Sequence, residues 1–283
     1  MRSSTVLAAT DDAVVYSVTC AGGHPRWSPA EPPRARGLVL VRSGLFRVRG
    51  HGREALAETT TAYLQIPDRE LQFAHPRGGD VCTSVTVSND FWQANFVAAE
   101  WAGAHSVPVD ARVETAHLML LRATRAGDPH YAVTERLLDL IGGAVRAEFR
   151  IRRPTGAATR LVRAAREAVL ADVPQAATLV GLARQLGVSP YHLSRVFSAH
   201  MGTGLTRYRN RIRVSRALHR LHHGEDDLAR LAIELGFADQ AHLTRTITTH
   251  VGQPPAALRR ALRPDAARMD CSVQTTAGVP VLQ

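Results

Sequence analysis

Two hydrophobic periodicities divide this chain. Up to about residue 88 the apolar positions fall in short, β-branched runs: 13–21 (AVVYSVTCA), 37–49 (GLVLVRSGLFRVR), 62–66 (AYLQI) and 81–87 (VCTSVTV). Turn chemistry separates them at Gly22-Gly23, Ser43-Gly44, Gly50-His51-Gly52, Pro67-Asp68 and Gly78-Gly79-Asp80. Short strands so spaced predict a β-barrel or sandwich. After Asn89 the spacing becomes helical, over 113–125 (Leu118, Leu121) and 131–149 (Leu137, Leu138, Ile141, Val145), with Gly127-Asp128-Pro129 as the break. This predicts two antiparallel helices behind the strands. The apolar stripe on the second is wider than its short partner covers, which predicts a homodimer through this pair. Arg152-Arg153-Pro154-Thr155-Gly156 reads as a linker.

The rest of the chain repeats itself. Leu179-x-x-Leu182-Ala183-x-x-Leu186-Gly187 returns 49 positions later as Leu228-x-x-Leu231-Ala232-x-x-Leu235-Gly236. His192-Leu193-Ser194-Arg195 returns 50 positions later as His242-Leu243-Thr244-Arg245, and Gly202 and Gly252 close the two units. Each unit reads as a short helix, a glycine turn and a second helix with a polar N-terminal face, the helix-turn-helix pattern. Ser189-Pro190 and Asp239 are the expected caps of the second helices. The capped N-terminal turns are what such units place in a DNA groove. Candidate base contacts are therefore Tyr191, Ser194 and Arg195, then Gln240, His242, Thr244 and Arg245, with the arginines suited to guanine and Gln240 to adenine. Between the units, 205–222 reads as one helix about 27 Å long carrying six arginines, comparable with the roughly 34 Å turn of B-DNA. It is expected to hold two readers in successive major grooves and to offer arginines to phosphates.

Charge sharpens this division. The 283 residues carry a formal charge of +10, and every one of the 35 basic side chains is arginine. Residues 160–263 hold 16 arginines against 7 acidic residues, whereas residues 1–159 hold 18 against 16. The basic half reads as a polyanion-binding module. No run of about 18 apolar residues is present, so no membrane partner is expected and the reading is a cytoplasmic protein.

On the run Ile233-Glu234-Leu235-Gly236-Phe237-Ala238-Asp239-Gln240, with His242, Leu243, Arg245, Gly252, Pro254 and Arg259, residues 160–263 resemble the DNA-binding domain of the AraC/XylS family of transcription regulators. Ile247 and Leu258 depart from the family pattern, where an aromatic and a tyrosine are usual; both are packing positions. The resemblance implies seven helices, two helix-turn-helix units joined by a long helix, and action on bacterial promoters. Partners would be double-stranded promoter DNA, a small-molecule effector and, for an activator, RNA polymerase. The first part resembles the cupin-like sensor domain that many members carry, and the helical pair their dimerisation element. The resulting expectation is an α+β chain: a cupin-like β domain over 1–112, a helical pair over 113–152, a linker over 153–159, an all-α double helix-turn-helix domain over 160–263 and a tail over 264–283.

One constellation suggests further chemistry. Cys20-x3-His24 and His75-x6-Cys82 put two thiols and two imidazoles at strand ends, the ligand types of a closed tetrahedral Zn²⁺ site of structural or sensory kind. The bland reading is buried thiols beside loop histidines. Cys271 lies in the tail and receives no role. The Gly-x5-His-x-His stretch of enzymatic cupins is missing, as are a Gly-x-Ser-x-Gly elbow, a Walker loop and a His-Glu-x-x-His run, so an enzyme is not expected. The rival reading is a cupin-type metalloenzyme with an accessory DNA-binding tail.

Overall fold

The structure is a computed structural model that describes residues 2–50, 52–76, 78–96, 106–125, 129–148 and 156–262. Arg152 to Thr155 of the expected linker, Cys271 and the whole tail lie outside the described residues. The chain is of mixed class, with antiparallel sheet in the N-terminal half and a helical C-terminal domain.

Strands β1 (Arg2–Ala9), β2 (Ala13–Cys20), β3 (Arg36–Ser43), β6 (Thr61–Gln65), β8 (Asp80–Val87) and β9 (Ser106–Pro108) form one antiparallel sheet in the order β1-β2-β8-β3-β6-β9. A second sheet has the order β5-β4-β7, from β4 (Phe46–Gly50), β5 (Arg53–Ala57) and β7 (Gln72–Ala74). The Ser43-Gly44 turn passes the chain from the large sheet to the small one, and Gly44 has φ +79, open to glycine at little cost.

Strand alternation explains the layers. On β3, Leu38 and Leu40 join Val85 and Val87 of β8 against helices, while Val39 and Val41 join Cys82 in facing Phe46 and Val48 of the small sheet. Because β3 is buried on both faces, its run is continuously apolar. Helices α1 (Asn89–Phe96), α2 (Ala111–Ala123) and α3 (Pro129–Glu148) supply the cover through Trp92, Val113, Leu120, Leu137 and Ile141. Leu137 and Ile141 are therefore filled within one copy of the chain. The premise that they form an uncovered stripe does not hold: Leu138 and Tyr131 are the exposed apolar residues of α3, and the Val145 side chain is outside the described set.

The C-terminal elements are α4 (Ala157–Leu170), α5 (Leu179–Gln185), α6 (Pro190–Met201), α7 (Leu205–His222), α8 (Leu228–Glu234), α9 (Gln240–Val251) and α10 (Pro255–Leu262). Helix α7 threads two cores. Leu205 and Ile212 pack with Leu182, Leu193 and Phe197, whereas Leu218 and Leu221 pack with Leu231, Leu243 and Ile247. The second core extends into the N-terminal half, because Ala111, Leu118 and Leu121 of α2 belong to it. Thus α2 buries one face against the sheet and another against the second helix-turn-helix unit.

Two buried carboxylates also cross between the halves. Glu58, fully buried after β5, pairs with Arg166 of α4, accepts from the Thr60 backbone N–H at 2.7 Å and lies 3.4 Å from the Tyr208 hydroxyl of α7. Glu114 of α2 pairs with Arg211 of α7 at 2.7 Å and accepts from Ser215 Oγ at 2.5 Å.

Backbone contact holds the far end of the sheet. A Cβ on Gly79 would lie 2.3 Å from the carbonyl oxygen of Cys20, so the start of β8 approaches β2 closer than any side chain permits. Gly79→Ala is expected to cost about 1–3 kcal/mol, because backbone rather than a flexible side chain must yield. Thermal unfolding of the full chain checks this; an unchanged melting temperature would show that the approach is relaxed in solution.

Candidate functional site

The two repeated units adopt the same local geometry for the same reasons. Ser189 Oγ accepts from the His192 N–H at 3.1 Å and Asp239 Oδ1 from the His242 N–H at 2.6 Å, capping α6 and α9. The first helices are capped alike, by Thr178 on Gly181 N–H at 3.0 Å and Asp227 on Arg230 N–H at 2.9 Å. Gly187 and Gly236 sit in the turns with φ +68 and +72, the left-handed region that a side chain there would strain. Ala183 and Ala232 are fully buried where the paired helices cross, and Leu193, Phe197, Leu243 and Ile247 face inward.

What remains outside is polar. On α6, Tyr191 is 74% exposed, Arg195 is exposed and Ser194 is half-buried; on α9, Gln240 and Arg245 are exposed and Thr244 is half-buried. The predicted residues therefore lie on the free N-terminal faces of the second helices. His242 is partly engaged. Its Nδ1 accepts from the Ala238 N–H at 3.3 Å and its ring packs edge-on against Phe237 at 5.3 Å, so it steadies the turn and leaves only Nε2 for another partner.

The expectation for α7 needs correction. Arg211 is buried on Glu114, Arg209 donates to the Ala177 carbonyl at 2.8 Å, and Arg216 contacts Asp172 and the Leu170 carbonyl. Arg220 pairs with Glu225 and Glu234, and Arg213 lies over the Phe237 ring at 5.7 Å. Arg207 alone of the six is exposed without an ion-pair or hydrogen-bond partner among the described residues. The helix is a scaffold whose arginines mostly bond within the protein. Sequence spacing showed the charges but not the carboxylates and carbonyls brought to them from other elements.

The thiol and imidazole residues also converge, with one change of membership. β2 and β8 are neighbours, and their register sets Cys20 opposite Asp80 and Val18 opposite Cys82. The ligand atoms of Cys20, His75 and Asp80 all lie within 4.8 Å of one another. His75 Nε2 is 2.8 Å from Asp80 Oδ1, with both side chains at least nine-tenths buried. Cys82, two residue pairs further along the ladder, donates its S–H to Asp80 Oδ2 at 3.1 Å. His24 is exposed; its carbonyl accepts from the His75 N–H at 2.9 Å and its ring rests on His75 at 4.3 Å. The predicted four-ligand set thus becomes a three-residue cluster with Asp80 in place of His24 and Cys82. Asp80 reads as turn chemistry in the sequence, and only the register reveals that it faces Cys20. Burial, then the neighbouring Asp80, pushes both thiols above their ordinary pKa, so they are protonated at neutral pH in this arrangement.

Two capped, glycine-turned helix pairs on one buried connecting helix define a double helix-turn-helix DNA-binding domain. Residues 182–261 match the family described as a helix-turn-helix domain. Related proteins include the HTH-type transcriptional regulator GlxA of Rhizobium meliloti, 35% identical over 79 residues that span 28% of this chain and 24% of that protein. The HTH-type transcriptional activator RhaS of Escherichia fergusonii is 30% identical over 86 residues, spanning 30% of this chain and 31% of the relative. The similarity to these regulators is confined to the C-terminal helix-turn-helix domain. The chain spans about a quarter to a third of the length of these curated relatives. Among solved structures, fatty-acid-bound ToxT from Vibrio cholerae aligns over 90% of this chain and 97% of its own at 10% identity, with a TM-score of 0.37. The C-terminal domain of AraT from Geobacillus stearothermophilus aligns over 40% of this chain and 94% of its own at 24% identity, also with a TM-score of 0.37. No helix among the described residues is long and apolar enough to cross a membrane.

Proposed function

We propose that this chain is a sequence-specific transcription regulator that binds double-stranded promoter DNA through residues 160–263 in the bacterial cytoplasm. Its N-terminal domain, cupin-like over 1–112 with a helical pair over 113–152, senses a small molecule or holds a metal. Segment 153–159 links the halves, and 264–283 is a tail. The observation that carries this reading is the repeated, capped unit with Tyr191, Ser194 and Arg195 on one exposed face and Gln240, His242, Thr244 and Arg245 on the other. The regulator acts as a homodimer, for which the exposed Tyr131 and Leu138 of α3 are the anchors, and engages RNA polymerase where it activates. The relatives of the helix-turn-helix domain are named as transcription regulators, which favours this reading over a metalloenzyme with an accessory DNA-binding tail.

Selection of full-length protein on a library of random duplexes tests the proposal: enrichment of a defined site supports it, and uniform retention of all sequences overturns it. With a site in hand, Arg195→Ala and Arg245→Ala are each expected to weaken binding by about 1–3 kcal/mol and to relax preference at one base pair. Equal weakening on every sequence would assign these side chains to phosphates instead.

A further inference from the structure

Asp80 poses a chemical problem that the DNA-binding reading leaves untouched. Its carboxylate is buried, its side chain 3% exposed, and the ion pair described for it is with the His75 ring rather than with a guanidinium. A buried carboxylate is stable only with compensating partners. The groups around it are the Cys82 thiol, the His75 ring and, directly across the β2/β8 ladder, Cys20. The other nitrogen of His75, Nδ1, is buried with no hydrogen-bond partner. Thiol, imidazole and carboxylate within one coordination sphere's reach are the donors of a borderline divalent cation of the Zn²⁺ type, rather than of Mg²⁺ or Ca²⁺, which favour oxygen alone.

We propose that Cys20, His75 and Asp80 form a binding site for one Zn²⁺-class ion between the two sheets, with one coordination position left free of protein ligands. The ion binds the Cys20 sulfur as thiolate, and the thiol proton leaves to solvent. It also takes one ring nitrogen of His75 and one carboxylate oxygen of Asp80. Cys82 and His24 are positioning residues. Cys82 holds the second carboxylate oxygen of Asp80, and His24 fixes His75 through its carbonyl and its ring. Three protein ligands and an open fourth position suit an ion that is exchanged or that receives an exogenous ligand, more than a closed structural centre. This site stands independently of the DNA-binding half, so loss of either leaves the other to be tested alone.

Cobalt(II) added to the full, chelator-treated chain provides the test, since tetrahedral thiolate coordination gives a near-ultraviolet charge-transfer band and visible ligand-field bands. The expected result is saturation at about one equivalent, one proton released per ion from Cys20, and displacement by Zn²⁺. Cys20→Ser is expected to abolish the charge-transfer band, and Asp80→Asn to weaken affinity at least about tenfold. Cys82→Ser, which keeps a donor toward Asp80, is expected to retain the band within about tenfold in affinity. Circular dichroism of each variant separates loss of the site from loss of the sheet. Should Cys20→Ser fail to fold, His75→Gln and Asp80→Asn in folded protein decide the matter. A wild-type chain that develops no charge-transfer band overturns the proposal. So does a band that survives Cys20→Ser, or one lost in a folded Cys82→Ser, which would return the sulfur ligand to Cys82.

Discussion

Glu114→Ala is expected to destabilise the full chain by about 3–5 kcal/mol, a large part of the stability of an ordinary domain. The replacement removes the acceptor for Arg211 at 2.7 Å and for Ser215 at 2.5 Å, and leaves the buried guanidinium with the Val109 carbonyl, 3.1 Å away, as its one hydrogen-bond partner among the described residues. Arg211 is 8% exposed, so water cannot readily take the place of the carboxylate. Denaturant unfolding of the wild-type and variant chains measures the difference. The companion Glu114→Leu/Arg211→Met protein is expected to recover most of it, because an uncompensated charge costs more than an absent pair. A loss below about 1 kcal/mol for the single variant would mean that the halves are not joined through this contact in solution.

Acid is expected to loosen the same junction. His117 of α2 sits against Thr83 at 2.8 Å, and burial, helped by Arg42 and the neighbouring histidines, lowers its pKa from 6.5 to about 3. His222 at the end of α7 is lowered to about 4 by burial, then by His223 and Arg125. Each is held neutral when folded, so the unfolded chain takes up protons that the folded chain refuses. Their contribution is whole above pH 6.5 and is lost as pH falls, toward about 4 for His222 and about 3 for His117. The slope is up to about 1.4 kcal/mol per pH unit for each histidine. Melting temperatures measured from pH 7 to pH 4.5 should fall accordingly, and His222→Asn should flatten the curve. An identical pH profile for that variant would remove His222 from this role.

Features with a local cause were legible in the sequence. The paired helices follow from apolar residues three and four apart, their starts from Ser189 and Asp239, their turns from Gly187 and Gly236; each signal lies within a few residues of its effect. The exposed faces of α6 and α9 follow from the same periodicity. Partners contributed by distant segments were not legible. Glu58, near Glu54 in the chain, reads as hairpin polarity, and only folding buries it on Arg166, 108 positions away. β1 carries no strand signal in the sequence because it is an edge strand with mostly exposed side chains, lacking a buried face to impose alternation. The apolar stripe of α3 illustrates the converse: helical spacing marks Leu137 and Ile141 as apolar but does not say that the sheet fills them. In the thiol cluster, register decided membership, and register is a long-range property that a list of turn residues does not contain.

The mooring of the basic half on N-terminal carboxylates bears on how the strength of its hold on DNA is to be read. Arg163, Arg166 and Arg211 face Glu54, Glu58 and Glu114. Cutting residues 160–263 free would uncover all three cations, together with the apolar residues that α2 covers. Each cation that then meets a phosphate releases condensed counterions and steepens the fall of log affinity with log salt by about 0.9. An excised fragment would therefore grip any duplex more firmly and more salt-sensitively than the parent does, with no gain in discrimination. On the proposed function, the N-terminal half acts as an electrostatic mask, and the ratio of specific to nonspecific binding is a property of the whole chain.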